Sequence, residues 1–115
     1  MIIEKGKRYG RTSEEVRKFG YPEDNKSNIK VDNEIILTDD EVREMFPNQH
    51  LVIKVLEYKD IYDLANYRKA IVKYFKCEGH FSVDMVEELE RGDLGSIYYS
   101  VTTYDPALEG DLLWF

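Results

Sequence analysis

Three helix-start signals, each followed closely by a stop, restrict the helices of this chain to a few turns each. Thr12 and Glu15 have the S/T-x-x-E spacing of a capping box, in which each side chain satisfies a backbone N–H group near the other. Gly20 follows as a residue that can adopt a left-handed stop. The sequence therefore predicts a helix over residues 13–19.

The second signal repeats the first one. Thr38 and Glu41 form another capping box, and acidic residues follow the cap, where they favour the positive end of the helix dipole. Pro47 cannot continue a helix because it lacks the N–H donor. We expect a helix over residues 39–46.

The third signal lies in the stretch SVDMVEELERGDLG. Ser82 is a suitable N-cap and Gly92 a suitable C-terminal stop, so residues 83–91 read as a short helix. Spacing along the helix predicts a buried face made of Val83, Val86 and Leu89. The same spacing makes Glu87 and Arg91 a supporting i,i+4 pair.

Strand composition fills much of the remaining chain. Residues 28–37 indicate two short strands about a turn at Asp32 and Asn33. Residues 50–58 are apolar and β-branched enough for a central strand. Residues 96–104, SIYYSVTTY, are the clearest strand, and alternation puts tyrosines on both of its faces.

Residues 60–77 fit both a helical stripe and a strand. The β-branched and aromatic cluster in AIVKYFKC favours a strand from about Arg68 to Cys77. Before it we expect a polar connection or a short helix through Asn66.

Short helices interleave with strands without the regular βαβ spacing that a parallel sheet requires. We therefore predict an α+β fold, with two or three short helices packed on one face of an antiparallel or mixed sheet. With 115 residues and 13% aromatic residues, the chain fits a single domain over 1–115.

Charge is distributed unevenly along the chain. The formal net charge is −7, and residues 78–115 hold nine acids against Arg91 as the only base. Such a segment should repel nucleic acid and anionic lipid and should attract basic proteins. We expect neither direct nucleic-acid binding nor membrane association.

A cytoplasmic location fits the remaining bulk features. Cys77 is the only cysteine, so the chain has no internal disulfide, and the start MIIEKGKRYG lacks the apolar region of a signal peptide. The apolar runs are far shorter than a membrane span requires.

Motifs for catalysis, metals and cofactors are incomplete. Cys77 and His80 resemble half of a zinc site, but only His50 remains as a third ligand of that kind. The acidic surroundings of Cys77 favour the neutral thiol over a nucleophilic thiolate, so we expect a buried structural cysteine. The basic start KGKRYGR lacks the residue order of a phosphate-binding loop. No catalytic residue, metal ligand or cofactor is assigned.

The acidic C-terminal third is the candidate binding surface. Its tail, EGDLLWF, either covers the core or anchors a partner, since aromatic residues are enriched among interface hot spots. The candidate partner-binding residues are Asp84, Glu87, Glu88, Glu90, Asp93, Tyr98, Tyr99, Tyr104, Asp105, Glu109, Asp111 and Trp114.

Two classes of function fit these features. The first is a small acidic module that docks on a basic protein such as a nucleic-acid-binding enzyme, as inhibitors, DNA mimics and immunity-type proteins of phage or mobile elements do. The alternative is a small-molecule-binding or catalytic domain with its site at a homo-oligomer interface, where the basic start and the tyrosine-rich strands would line a pocket. A homodimer is compatible with both.

Overall fold

The computed structural model describes residues 1–21, 27–60, 62–77 and 79–105, which form an α+β fold of three short helices and a curled antiparallel sheet, as predicted. The helices are α1 (Ser13–Phe19), α2 (Asp39–Met45) and α3 (Val83–Gly92). The strands are β1 (Ile29–Lys30), β2 (Leu37–Thr38), β3 (His50–Asp60), β4 (Asp63–Lys76) and β5 (Ile97–Thr102).

Strand β3 is central, as predicted, and the sheet order is β1-β4-β3-β5. Two short strands flank Asp32 and Asn33, as expected, but β2 extends to Thr38, beyond residues 28–37, and β1 and β2 each pair with β4. Since β3 occupies the other edge of β4, β1 and β2 lie one after the other along the same edge.

The start of β4 differs from the prediction. The strand begins at Asp63, about one short turn after β3 ends, and Asp60 pairs with Asp63 at the tip of a long hairpin. A polar connection or short helix through Asn66 was therefore the wrong expectation. Strand propensity depends strongly on pairing, and β3 supplies a partner that the local composition of residues 63–67 does not reveal.

Both predicted capping boxes are present. The Thr12 N–H donates to Glu15 Oε1 at 3.1 Å and the Glu15 N–H donates to Thr12 Oγ1 at 3.3 Å. Thr38 and Glu41 make the same two bonds at 3.1 and 3.2 Å. These bonds to the cap residues lower the pKa of both glutamates. Helix α2 ends one residue earlier than expected, at Met45.

The helices lie on both faces of the sheet, which corrects the expectation of one helix-bearing face. Successive residues of a strand point to opposite faces. Leu51 and Ile53 of β3 belong to the main core, together with Val42 and Met45 of α2. Val52, between them, belongs to a second cluster with Phe81, Tyr98 and the inner side of α3.

Helix α3 forms as predicted, but its inner face is only partly buried and is rotated. Met85, Val86 and Leu89 pack against the second cluster, whereas Val83 is 71% exposed. Because Met85 shares the buried stripe, the centre of that stripe turns away from Val83. Gly92 is the last helical residue and not the stop beyond it; Asp93 is the C-cap, and its N–H donates to Glu90 O at 3.2 Å.

Candidate functional site: the α3–β5 surface

Helix α3 presents carboxylates that no cation of the described chain neutralises. Asp84, Glu87 and Glu88 are exposed, Glu90 is half-buried, and none of the four forms an ion pair with a described residue. The expected Glu87–Arg91 carboxylate pair is not made: Arg91 Nε donates to the backbone carbonyl of Glu87 at 3.4 Å. The outer side of α3 is therefore strongly negative.

Most described acids in residues 1–57 are neutralised instead. Arg8 lies 2.7 Å from Glu15, and Lys73 lies 2.9 Å from Glu34. Comparable pairs involve Glu4, Glu14, Asp32, Asp39, Glu41 and Glu57. The acids of α3 thus differ from most described acids of residues 1–57, although Asp40 and Glu44 of α2 likewise form no ion pair with a described residue.

Asp93 and Tyr98, both candidate binding residues, connect α3 to the sheet. Asp93 Oδ2 accepts from Lys54 Nζ at 2.8 Å and from the Tyr98 hydroxyl at 2.7 Å. The bond from Lys54, followed by those from Tyr98 and Ser96, lowers the pKa of Asp93 to about 2. Burial, followed by the Asp93 carboxylate, raises the pKa of Tyr98 to about 12. These two groups fix the end of the helix on β5, so their charge and hydrogen bonds are already used within the fold.

Tyr104 and Asp105 contact residues outside α3. The Tyr104 hydroxyl donates to the carbonyl of Cys77, and its ring lies 4.8 Å from that of His50. Asp105 Oδ2 accepts from Ser13 Oγ at 2.8 Å. Three further candidate residues, Glu109, Asp111 and Trp114, lie outside the described residues.

An apolar groove borders the acidic side of α3. Five residues line it, and its volume is about 230 Å³. They are Phe81, Val83, Val86, Tyr99 and Ser100. Tyr99 is 37% exposed, and Val83 is the residue that sequence reasoning placed inside. We call the exposed side of α3 (Asp84, Glu87, Glu88) together with this groove the α3–β5 surface.

Cys77, His50 and His80 lie at the end of the sheet where β3 begins and β4 ends. Cys77 is fully buried, as predicted. The rings of His50 and His80 lie 4.5 Å apart, a contact between residues distant in sequence that no local pattern indicated. Burial, followed by the charges of His80 and Lys76, lowers the pKa of His50 to about 4. Within the described residues no three His, Cys, Asp or Glu side chains are grouped to hold a metal ion.

The basic start lines a groove of its own, of about 370 Å³. Its cations are engaged by acids: Lys5 lies 3.2 Å from Glu41 and Lys7 lies 2.9 Å from Glu4. The described lining contains no tyrosine, because Tyr9 packs inward and stacks on Phe46 with ring centroids 5.5 Å apart. The basic start and the tyrosines of β5 therefore do not share this groove.

No family model, curated protein or solved structure matches the chain. Among the helices of the described residues, none combines the length and the apolar content needed to cross a membrane.

Proposed function

We propose that this chain is a small, non-enzymatic binding module of the cytoplasm that docks its α3–β5 surface on a basic surface of a partner protein. An inhibitor, DNA mimic or immunity-type protein directed at a nucleic-acid-binding enzyme is the functional class that fits best. The observation that carries the proposal is the set of exposed acids on α3 without a cationic partner among the described residues, next to the exposed side chains of Val83 and Tyr99.

Each part of the surface would contribute a different physical effect. Unpaired carboxylates at neighbouring positions repel one another, and a basic surface relieves that repulsion while it accelerates encounter. Exposed apolar side chains add contact area that excludes water once the partner has docked. The combination favours a protein partner over a simple cation.

The alternative, a pocket that joins the basic start to tyrosine-rich strands, has weaker support. The groove at the basic start is lined by cations that already pair with acids, and the tyrosines of β5 are not part of its described lining. An anionic ligand would have to displace those carboxylates.

Charge reversal on α3 tests the proposed function. Wild-type chain and the variant Glu87→Lys/Glu88→Lys are immobilised, and proteins retained from a lysate of the encoding organism are quantified over a salt series. We expect a basic protein that the wild type retains at low salt and that the variant loses, with retention falling as salt rises because screening weakens exposed charge pairs.

The matched control is Asp40→Lys/Glu44→Lys on α2. Both residues are exposed and neither forms an ion pair with a described residue, so the net charge changes equally at another site. The control should retain the same protein as the wild type. Equal loss in both variants, or no basic protein retained at all, would overturn the proposal.

A further inference from the structure

We infer that the open edge of β5 binds an extended, basic segment of the partner, which joins the sheet as an additional strand. The inference rests on the proposed function and specifies how the partner is held. It is carried by the direction of the β5 backbone groups, by two grooves along the strand and by the charge of α3.

The β5 edge offers backbone hydrogen-bonding groups to an incoming strand. Among the described residues β5 pairs only with β3, without register irregularity from His50–Thr102 to Val55–Ile97. The Thr103 N–H donates to Gln49 O at 2.9 Å, toward β3. Because N–H groups of an antiparallel strand alternate in direction, the N–H and C=O groups of Tyr98, Ser100 and Thr102 point away from β3.

Space for another strand exists along this edge. A groove of about 370 Å³ runs along residues 99–103 and is also lined by Asp39, Arg43, Tyr67 and His80. The apolar groove beside α3 shares Tyr99 and Ser100 with it. An added strand would fill the first groove with its backbone and the second with a side chain.

Strand β5 carries none of the usual features that block edge pairing within its own sequence. Residues 97–102 contain no lysine or proline, and the pairing with β3 shows no bulge. Within the described residues, the opposite edge of the sheet is formed by β1 and β2, of two residues each. The six-residue edge of β5 is thus the longer regular template in the described sheet.

Charge decides which strand can bind. A second copy of this chain that paired antiparallel with β5 would place two α3 helices side by side on one face of the continuous sheet, with their acids facing each other. Like charges at such an interface oppose association. On the helix, Glu87 and Glu90 lie on the same side as Val83 and Val86, which line the groove beside β5. A basic segment meets these two acids with opposite charge, so we assign the edge to a basic partner strand.

The two grooves also define the side-chain pattern of that segment. Alternate residues of an added strand face α3. An apolar residue at one such position fits between Val83 and Val86, and lysine or arginine two residues before and after it can reach the acids of the helix. The segment therefore alternates as basic, apolar, basic on the α3 side, with small polar residues on the other.

The probe is a blocked peptide of sequence Thr-Lys-Thr-Val-Thr-Lys-Thr, added to isotope-labelled chain at low ionic strength. We expect the largest amide chemical-shift changes at Tyr98, Ser100 and Thr102. The isomer Thr-Thr-Lys-Val-Lys-Thr-Thr has the same charge and composition but puts valine and lysines on opposite faces. This isomer should bind more weakly, with a dissociation constant about tenfold larger.

Backbone pairing is tested separately from charge. Ser100→Pro removes an outward N–H and leaves the neighbouring bonds to β3, whereas Ser100→Ala keeps that N–H. We expect Ser100→Pro to weaken peptide binding by about tenfold and Ser100→Ala to leave it nearly unchanged. If Ser100→Pro disturbs the fold in circular dichroism, a peptide N-methylated on its central residues tests the same bonds and should bind about tenfold more weakly.

The outcomes distinguish this inference from the proposed function. Equal binding of the two isomers, or of the N-methylated peptide, overturns strand addition, while selective loss of the basic protein by Glu87→Lys/Glu88→Lys would still support docking on α3. If the first peptide binds at β5 and charge reversal on α3 does not weaken it, strand addition stands but its assignment to a basic segment is overturned.

Discussion

Asn48 shows how one buried amide can join three segments that are distant in sequence. Its Nδ2 donates to Arg11 O at 3.1 Å and to Ser13 Oγ at 3.4 Å, and its Oδ1 accepts from the Asp105 N–H at 3.0 Å. The residue also has a φ of 54°, in the left-handed region that asparagine tolerates better than most residues. Asn48 therefore fixes the start of α1 and the segment after β5 by hydrogen bonds and by its backbone conformation.

We predict that Asn48→Gly and Asn48→Ala separate these two contributions. Both lose the amide bonds, which should lower the free energy of unfolding by about 2 kcal/mol. Alanine additionally has to adopt a left-handed φ, which costs about 1 kcal/mol more than glycine. Urea unfolding of the two variants measures the difference, and equal stability would contradict the role of the backbone conformation.

His50 should make the fold sensitive to mild acid. Burial lowers its pKa from 6.5 to about 4, with His80 and Lys76 adding to the effect. The unfolded chain therefore binds a proton that the folded chain does not accept as the pH falls below 6.5. We predict that the wild type loses about 2 kcal/mol of stability between about pH 7.5 and about pH 5.

The variant His50→Gln lacks this proton-binding group and serves as the comparison. Its stability should change clearly less over the same interval, as measured by urea unfolding at both pH values. Parallel losses in the wild type and the variant would assign the acid sensitivity to other groups.

At the scale of the element, α3 allows a matched test of its orientation. Val83→Ala and Val86→Ala make the same chemical change in one helix, and both gain helix propensity. Val83 is exposed, so its variant should be neutral or stabilised by about 0.5 kcal/mol. Val86 packs on the second cluster, and its variant should lose about 1 kcal/mol. Thermal unfolding of both variants measures which of them is less stable. A larger loss of stability for Val83→Ala would support the orientation of α3 that the sequence predicted.

Elements specified by short-range chemistry were predictable, and those specified by long-range pairing were not. A capping box involves residues three apart, so both boxes could be recognised from sequence alone. The start of β4 depends on β3, and the side of α3 that packs inward depends on its contacts with the cluster of Val52, Phe81 and Tyr98. Neither of these dependences can be recognised from the sequence of the segment alone.

The same holds for the candidate site: positions within α3 could be predicted from the sequence, and contacts between distant residues could not. The acids of α3 are close in sequence, so helical periodicity alone placed several of them on its outer side. Asp93 is engaged by Lys54, and Asp105 by Ser13 and Asn48, through contacts that span many residues. Their charge could be counted from the sequence, but their partners could not.

At the scale of the whole molecule, the acids of α3 have a second consequence for the open edge of β5. Natural proteins keep exposed strands from pairing with one another by placing charges near them. The strand itself is uncharged over residues 97–102, so the nearby negative charge comes from the adjacent helix, where Glu87 and Glu90 share the side of Val83 and Val86. The surface that would attract a basic partner would therefore also keep two copies of the chain apart.

We predict that Glu87→Gln/Glu90→Gln increases self-association. The change removes two charges of the net −7 at the place where two copies would meet, so antiparallel pairing of β5 strands encounters less repulsion. Sedimentation velocity over a concentration series should show a larger species for this variant at concentrations where the wild type sediments as a monomer.

Two controls accompany this measurement. Asp40→Asn/Glu44→Gln, with the same charge change on α2, should remain monomeric, and adding Ser100→Pro to the α3 variant should restore the monomer. A wild type that already dimerises through β5, or an α2 control that associates equally, would show that the acids of α3 do not protect the edge.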